Sequence, residues 1–203
     1  MTAVANISLS QHGRLFVVSG PSGVGKDTVL EQLFQQCKGV KRSISATTRP
    51  PRPNEAEGVD YYFISHDTFE KGIQAGEFLE YAQYGSNLYG TPLEAVKSQL
   101  QQGLDVILKI EVQGALQIKK MLPEARLIFI QPPSFEELER RLRNRQTDDE
   151  GRIQERLKIA QEELACQNEY HYLLTNDDLE TAVTTLKAIL IAERCRNRTE
   201  TEC

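Results

Sequence analysis

Short apolar runs alternate with longer amphipathic stretches along most of this chain. The apolar runs are LFVVS at 15–19, VILKI at 106–110, LIFI at 127–130 and YLLT at 172–175. Runs of this length and composition predict buried strands. Between them, apolar residues recur at helical spacing in segments that begin near Lys26, Glu94, Val112, Phe135, Arg152 and Leu179. This alternation predicts an α/β fold with a parallel sheet flanked by helices.

Residues 40–91 interrupt this alternation. They contain TTRPPRPNEAEG, YYFIS and EYAQYGSNLYG, in which Pro, Gly and Tyr favour hairpins and loops. We interpret the segment as a small α+β subdomain inserted into a core of about 14–39 and 92–195. A second, mobile and charged insertion is expected at about 141–156, at the same edge of the sheet. The 203 residues would then form a single domain.

Composition narrows the class of protein. With 39% hydrophobic and 26% charged residues, a soluble globular chain is expected, and no apolar run approaches the about 20 residues of a membrane span. The N-terminus lacks the pattern of a signal peptide, so we expect a cytoplasmic location. The four cysteines are scattered, which suggests neither zinc nor a disulfide framework. A net charge of −5 argues against nucleic-acid binding.

A glycine-rich segment, GPSGVGK, lies between the first predicted strand and the first predicted helix. It consists of Gly20, Pro21, Ser22, Gly23, Val24, Gly25 and Lys26. Glycines let the backbone curl its amides around a phosphate, and the lysine adds positive charge for the β- and γ-phosphates. The preceding strand and following helix are the context that this motif requires. The segment therefore predicts a nucleoside triphosphate site.

Asp27 stands after Lys26, where a Ser or Thr hydroxyl would usually meet Mg²⁺, and Thr28 comes one place later. Mg²⁺ is then expected to be held mostly by phosphate oxygens and water. Asp27 either accepts a hydrogen bond from a metal-bound water or only stabilises the helix N-terminus as an acidic residue. The sequence leaves both alternatives open.

Three further segments carry a resemblance to a known family. They are SISATTRPPRPNEAEGVDYYF at 43–63, GEFLEYAQYGSNLYGTP at 76–92 and NDDL at 176–179. Together with the glycine-rich loop they resemble the guanylate kinase family over about residues 14–190. The resemblance implies transfer of the γ-phosphoryl group of ATP to GMP, with dGMP as a further acceptor and Mg²⁺ as cofactor.

The residues that would hold the GMP phosphate can be read from this resemblance. Arg49 and Arg52 lie in a proline-stiffened loop, and their planar guanidinium groups match the oxygens of a monophosphate. Tyr61 and Tyr89 match phosphate-contacting tyrosines of the family and would each add a hydroxyl donor. Packing within the insertion is the alternative role of the two tyrosines.

Glu80 matches the glutamate that reads guanine in the family, because guanine presents an N1–H and an exocyclic amine to an acceptor. Ser45 and Thr91 match the hydroxyl positions expected beside the base. Adenine would leave the carboxylate unpaired at a cost of about 1 to 3 kcal/mol or more. Base choice is therefore expected to depend on Glu80.

The strand VILKI is followed by Glu111, at the sheet edge where ligands bind in open α/β folds. Two positions earlier the family usually has another acidic residue, and this chain has Lys109. Lys109 could pair with Glu111, approach a phosphate, or be a local structural substitution. The sequence does not decide between these alternatives.

The charged segment 136–157 resembles the family's lid, and Arg141, Arg145 and Arg156 match the arginines that close on the phosphates. Arg141 and Arg145 would share one helix face if the helix continues between them. Asn176 and the loop 132–134 are placed on the adenine side by the resemblance alone.

Two other functions fit the sequence less well. A non-catalytic protein-interaction module has no need of Lys26, and a kinase of another nucleotide or of a sugar phosphate is disfavoured by Glu80, Ser45 and Tyr89. The expected partners are therefore ATP and GMP, with neither nucleic acid nor a membrane. The expected assembly is a monomer or a small homo-oligomer.

Overall fold

The computed structural model describes residues 12–144 and 149–196. The strands within these ranges are β1 (Leu15–Ser19), β2 (Val40–Arg42), β3 (Ser45–Thr47), β4 (Tyr61–Phe63), β5 (Phe78–Tyr84), β6 (Asn87–Pro92), β7 (Asp105–Lys109), β8 (Arg126–Gln131) and β9 (Tyr172–Thr175). The helices are α1 (Lys26–Gln36), α2 (His66–Ala75), α3 (Leu93–Gln101), α4 (Val112–Met121), α5 (Phe135–Arg143), α6 (Glu150–Ala165) and α7 (Leu179–Cys195).

Five strands form a sheet in the order β2-β7-β1-β8-β9. β2 pairs with β7 in parallel, and β8 pairs with β9 in parallel. All four strands predicted from apolar runs are present, each within one residue of its predicted bounds, because all four put apolar side chains into the core. The prediction of a parallel sheet flanked by helices is confirmed. β2 was not predicted, since three residues with one buried position carry too little pattern.

The remaining four strands form a second sheet in the order β4-β3-β6-β5. β3 and β4 are parallel, whereas β6 is antiparallel to both β3 and β5. The prediction of hairpins in this segment was incomplete, because helix α2 lies between β4 and β5. Its N-cap Ser65 accepts a hydrogen bond from the Thr68 N–H, and Phe69 is its buried aromatic residue.

The helices begin close to their predicted starts. Four match to the residue, α3 begins one residue earlier and α6 two residues earlier than predicted. The α6 difference has a local cause, since the Asp149 carboxylate accepts from the Arg152 N–H and caps the helix. Among the described residues, no helix combines the length and apolar character needed to cross a membrane.

Contacts between residues divide the chain into two compact units. In its described residues, the first unit comprises 12–16, 39–108 and 113–125, and it contains the four-stranded sheet. The second unit comprises 17–38, 109–112, 126–144 and 149–196, and it contains the glycine-rich loop. In the second unit, α1 and α7 contact each other, and Phe129 and Leu186 are among the fully buried side chains.

Candidate functional site

The glycine-rich loop 20–26, called the phosphate loop below, connects β1 to α1 in the second unit. Gly20 has a φ of 147° and Gly25 a φ of 95°. A Cβ at Gly20 would lie 2.1 Å from the Ile130 carbonyl oxygen, and one at Gly25 would lie 2.6 Å from Asn176 Nδ2. Both glycines are therefore required by the backbone conformation and by the lack of space.

Lys26 folds onto this loop. Its Nζ donates to the Gly20 carbonyl and, at 3.2 Å, to the Pro21 carbonyl. Burial lowers the pKa of Lys26, while the Glu111 and Glu163 carboxylates raise it. The ammonium group thus lies beside loop carbonyls and two acidic side chains, in a position to meet a phosphate bound by the loop amides.

Asn176 follows β9 and is buried. Its Nδ2 donates to the Val24 carbonyl at 2.8 Å, so the side chain holds the phosphate loop. Of the loop expected on the adenine side, Pro132 is buried, and Ser134 caps α5 by accepting from the Glu137 N–H. The adenine-side role of both remains a prediction.

Two of the three predicted lid arginines contact the phosphate loop. Arg141 donates from Nε to Glu137 at 2.7 Å and from Nη1 to the Val24 carbonyl at 3.4 Å. Arg156 donates from Nη2 to Ser22 Oγ at 2.5 Å. The third, Arg145, lies outside the described residues, and α5 ends at Arg143.

Glu163 on α6 was missed in the sequence. Burial raises the pKa of Glu163, the neighbouring Glu111 carboxyl raises it further, and Lys26 and the Ser22 N–H oppose the rise. Glu111 itself was predicted at the sheet edge where ligands bind, and the structure places it in the second unit, within electrostatic range of Lys26. No local signal marked Glu163, because it resembles the other glutamates of a charged helix.

Asp27 and Lys109 form an ion pair, with Lys109 Nζ 2.5 Å from Asp27 Oδ1. The Lys109 side chain is 16% exposed and that of Asp27 is 62% exposed. The sequence left open an ion pair between Lys109 and Glu111. The structure shows Lys109 paired with Asp27 instead. No group of three or more His, Cys, Asp and Glu side chains suited to a metal ion occurs in the part of the chain that the structure describes.

In the first unit, five of the predicted GMP residues, Ser45, Tyr61, Glu80, Tyr89 and Thr91, lie on one face of the four-stranded sheet. Ser45 is opposite Tyr61 across β3 and β4, and Thr91 is opposite Glu80 across β6 and β5. Tyr89 is opposite Thr47, two residues along β3 from Ser45. Because side chains alternate along a strand and paired residues point to the same side, all of these positions share a face.

Glu80 is buried in this face, with 5% of its surface exposed. Thr91 Oγ1 donates to Glu80 Oε1 at 2.6 Å. Burial raises the pKa of Glu80 to about 7, although the hydrogen bonds from Thr91 oppose the rise. A half-buried hydroxyl, Ser45, lies on the same face.

Arg49 lies over this face, with its guanidinium carbon 5.6 Å from the centre of the Tyr61 ring. The group also donates to Glu55 at 2.8 Å, and this hydrogen bond raises the pKa of Arg49. The Tyr61 and Tyr89 ring centres are 6.1 Å apart in an edge arrangement. Arg52 is exposed, and its backbone N–H donates to Glu55. This face therefore combines a buried acceptor with a cation and two phenols.

A parallel sheet flanked by helices, with a glycine loop and a lysine between its first strand and first helix, defines a P-loop nucleotide-binding protein. The model of one family in this class, described as guanylate kinase, matches residues 12–193. The chain belongs to the guanylate kinase family, which confirms the resemblance drawn from its motifs.

Individual relatives agree with this assignment. A guanylate kinase of Desulfitobacterium hafniense is 49% identical over 185 residues, covering 91% of this chain and 92% of that protein. A guanylate kinase of Thermus thermophilus is 51% identical, covering 91% and 84%. Among solved structures, the guanylate kinase from Anaplasma phagocytophilum matches with a TM-score of 0.76 at 34% identity, covering 91% of this chain and 88% of that one.

Proposed function

We propose that this chain is an enzyme that transfers the γ-phosphoryl group of ATP to GMP, forming ADP and GDP. The observation that carries the proposal is the buried Glu80, held by Thr91 on a sheet face in a chain that also has a complete phosphate loop. A buried carboxylate of this kind suits a base with two adjacent N–H donors. A cytoplasmic location and a monomer or small homo-oligomer belong to the same proposal.

The donor half is the second unit. The phosphate-loop amides would bind the β-phosphate of ATP, and the Lys26 ammonium would exchange its loop carbonyls for phosphate oxygens. Arg141 and Arg156 already contact the loop, so they are the proposed cations that neutralise charge developing on the transferred group, together with Arg145. Phosphoryl transfer needs mostly positioning and charge neutralisation, and no general base is proposed.

The acceptor half is the inserted segment of about residues 40–91. Glu80 would accept from guanine N1–H and the exocyclic amine, with the Ser45 and Thr91 hydroxyls beside the base. The phosphate would be bound by side chains that offer donors, namely Arg49, Arg52, Tyr61 and Tyr89. Because these residues contact base and phosphate rather than ribose, dGMP is expected as a second acceptor. Residues of about 141–156 are the proposed lid over the phosphates.

Mg²⁺ is the proposed cofactor, and the residues fit a loosely held ion. The Asp27 carboxylate is engaged by Lys109, and the described residues contain no carboxylate cage. Mg²⁺ keeps several waters, so it would be bound by ATP phosphate oxygens and water, with the Thr28 hydroxyl as the proposed protein contact to that water. When bound, it supplies positive charge to the phosphate oxygens.

The proposal is tested by measuring ADP formation from ATP with GMP, dGMP, AMP, CMP and UMP in separate assays. We expect kcat/KM to be highest with GMP and about tenfold to hundredfold or more lower with AMP, because adenine lacks the donors that Glu80 needs. A Lys26→Met variant is the control, and it should lose turnover while still binding GMP. Equal rates with AMP and GMP would contradict the assignment of Glu80.

A further inference from the structure

Asp27 places a carboxylate directly after the phosphate-binding lysine. It lies in the first turn of α1, and its side chain is mostly exposed. A negative charge there favours the helix N-terminus, but it also opposes the approach of a triphosphate to the neighbouring loop. The chain therefore needs a compensating charge if this loop is to bind ATP well.

Lys109 is in position to supply that charge. It ends β7, and its Nζ is 2.5 Å from Asp27 Oδ1, with most of its aliphatic chain covered. Lys109 is also close enough to Lys26 for its charge to lower the pKa of Lys26. Residues 82 positions apart in sequence thus meet at the phosphate loop.

We propose that Lys109 is a positioning residue of the ATP site, which neutralises Asp27 and thereby allows the triphosphate to bind the phosphate loop. This inference rests on the proposed function, since ATP is the ligand. The Asp27–Lys109 contact also links two unusual residues, because Asp27 departs from the usual phosphate-loop pattern and Lys109 departs from the family pattern. A partly exposed ion pair adds little to stability, so its effect is expected in ligand binding.

A competing role is direct contact between Lys109 and a phosphate, and the two roles predict different double variants. If Lys109 acts through Asp27, Lys109→Met weakens ATP binding in wild type but not in the Asp27→Asn background. If Lys109 binds the phosphate itself, Lys109→Met weakens ATP binding about equally in both backgrounds. The pair therefore calls for a double-mutant cycle with ATP affinity as the readout.

The experiment is calorimetric titration of ATP into wild type, Lys109→Met, Asp27→Asn and Lys109→Met/Asp27→Asn, at low and high salt. We expect Lys109→Met to weaken ATP binding about fivefold or more at low salt, with a smaller loss at high salt because exposed charges are screened. Asp27→Asn should bind ATP as well as wild type or better, and the double variant should bind ATP within about twofold of Asp27→Asn. GMP affinity should not change in any variant.

Lys97→Met is the matched control, because Lys97 also forms a surface ion pair, with Glu94 at 2.9 Å. It should leave ATP affinity unchanged. Lys109→Gln repeats the comparison if Lys109→Met does not fold, and Lys109→Arg should retain wild-type affinity. A loss of ATP affinity from Lys109→Met that is as large in the Asp27→Asn background as in wild type, or a loss in Asp27→Asn alone, contradicts the inference. Absence of ATP binding to wild type would instead contradict the proposed function.

Discussion

A carboxylate that accepts two hydrogen bonds from a base has to be ionised, and burial works against ionisation. At Glu80, burial raises the pKa to about 7, and the Thr91 hydroxyl opposes that rise by donating to the carboxylate. The Glu80 carboxyl that would select guanine therefore has a pKa near neutral pH. Base recognition and pH dependence are linked at the level of single side chains.

The first prediction concerns the pH dependence of the KM for GMP. Below about pH 7 the protonated Glu80 no longer accepts both N–H donors, so we expect the KM to rise, approaching tenfold per pH unit. Replacing Thr91 with Val removes the hydroxyl that lowers the pKa of Glu80, so the midpoint should move to higher pH. Steady-state kinetics between about pH 5.5 and 9 measures both midpoints.

Glu80→Gln is the control, since the phosphate of GMP also titrates near pH 6 and this variant retains only that titration.

The free energy of unfolding should depend on pH in the opposite direction. Because the folded-state pKa is raised, the contribution of Glu80 to the free energy of unfolding is fully present below about pH 4.3 and is lost as pH rises through about 7. Wild type should therefore lose stability relative to Glu80→Gln over this range. Identical KM profiles for wild type and Glu80→Gln would contradict the assignment.

At the scale of elements, the phosphate loop is determined by what surrounds it. The loop crosses close to β8 at Gly20, and Asn176 donates to the Val24 carbonyl from the residue after β9. The motif GPSGVGK was evident in the sequence because it is contiguous. The Asn176 contact was not, since it joins residues 152 positions apart.

The second prediction compares two glycines that share positive φ. Gly20→Ala would place a Cβ 2.1 Å from the Ile130 carbonyl oxygen, whereas Gly103→Ala meets nothing within 4 Å. We expect Gly103→Ala to lower the free energy of unfolding by about 1 to 2 kcal/mol, from backbone strain alone. Gly20→Ala should cost clearly more, about 3 kcal/mol or above, because backbone must also move. Urea unfolding measures the difference, and equal losses would show that the contact to β8 is relieved without cost.

The helices and strands themselves were largely readable from the pattern. Apolar runs such as LFVVS and LIFI are long enough to mark buried strands. The three-residue strands and α2 were missed, because they bury few side chains and lie among Pro and Gly residues. The order of the strands in each sheet depends on pairing between segments that are remote in sequence.

At the scale of the whole molecule, the residues proposed for ATP and for GMP belong to different compact units. Lys26, Arg141 and Arg156 are in the second unit, whereas Arg49 and Glu80 are in the first. Each unit has its own contacts that hold these side chains, such as Arg49 with Glu55 and Arg156 with Ser22. The two ligands should therefore depend on separate sets of residues.

The third prediction follows from mass action. A ligand at about 100 times its Kd adds about 2.7 kcal/mol to stability, which corresponds to a Tm increase of roughly 5 to 10 °C for a chain of this size. We expect ATP and GMP each to raise the Tm of wild type. Glu80→Gln should lose most of the increase from GMP and keep that from ATP, and Lys26→Met should show the reverse. Thermal melts with each ligand alone measure this, and loss of both increases in either variant would contradict separate binding.

The sequence by itself determined the parallel α/β architecture, the phosphate loop and the family, because these depend on contiguous motifs and on hydrophobic periodicity. Tertiary structure alone decided which distant residues share a site. It paired Lys109 with Asp27, brought Glu163 into electrostatic range of Lys26, and set Thr91 against Glu80. The physical reason is that a side chain's partner and its pKa depend on strand register and burial, and both are set by the packing of segments far apart in the chain.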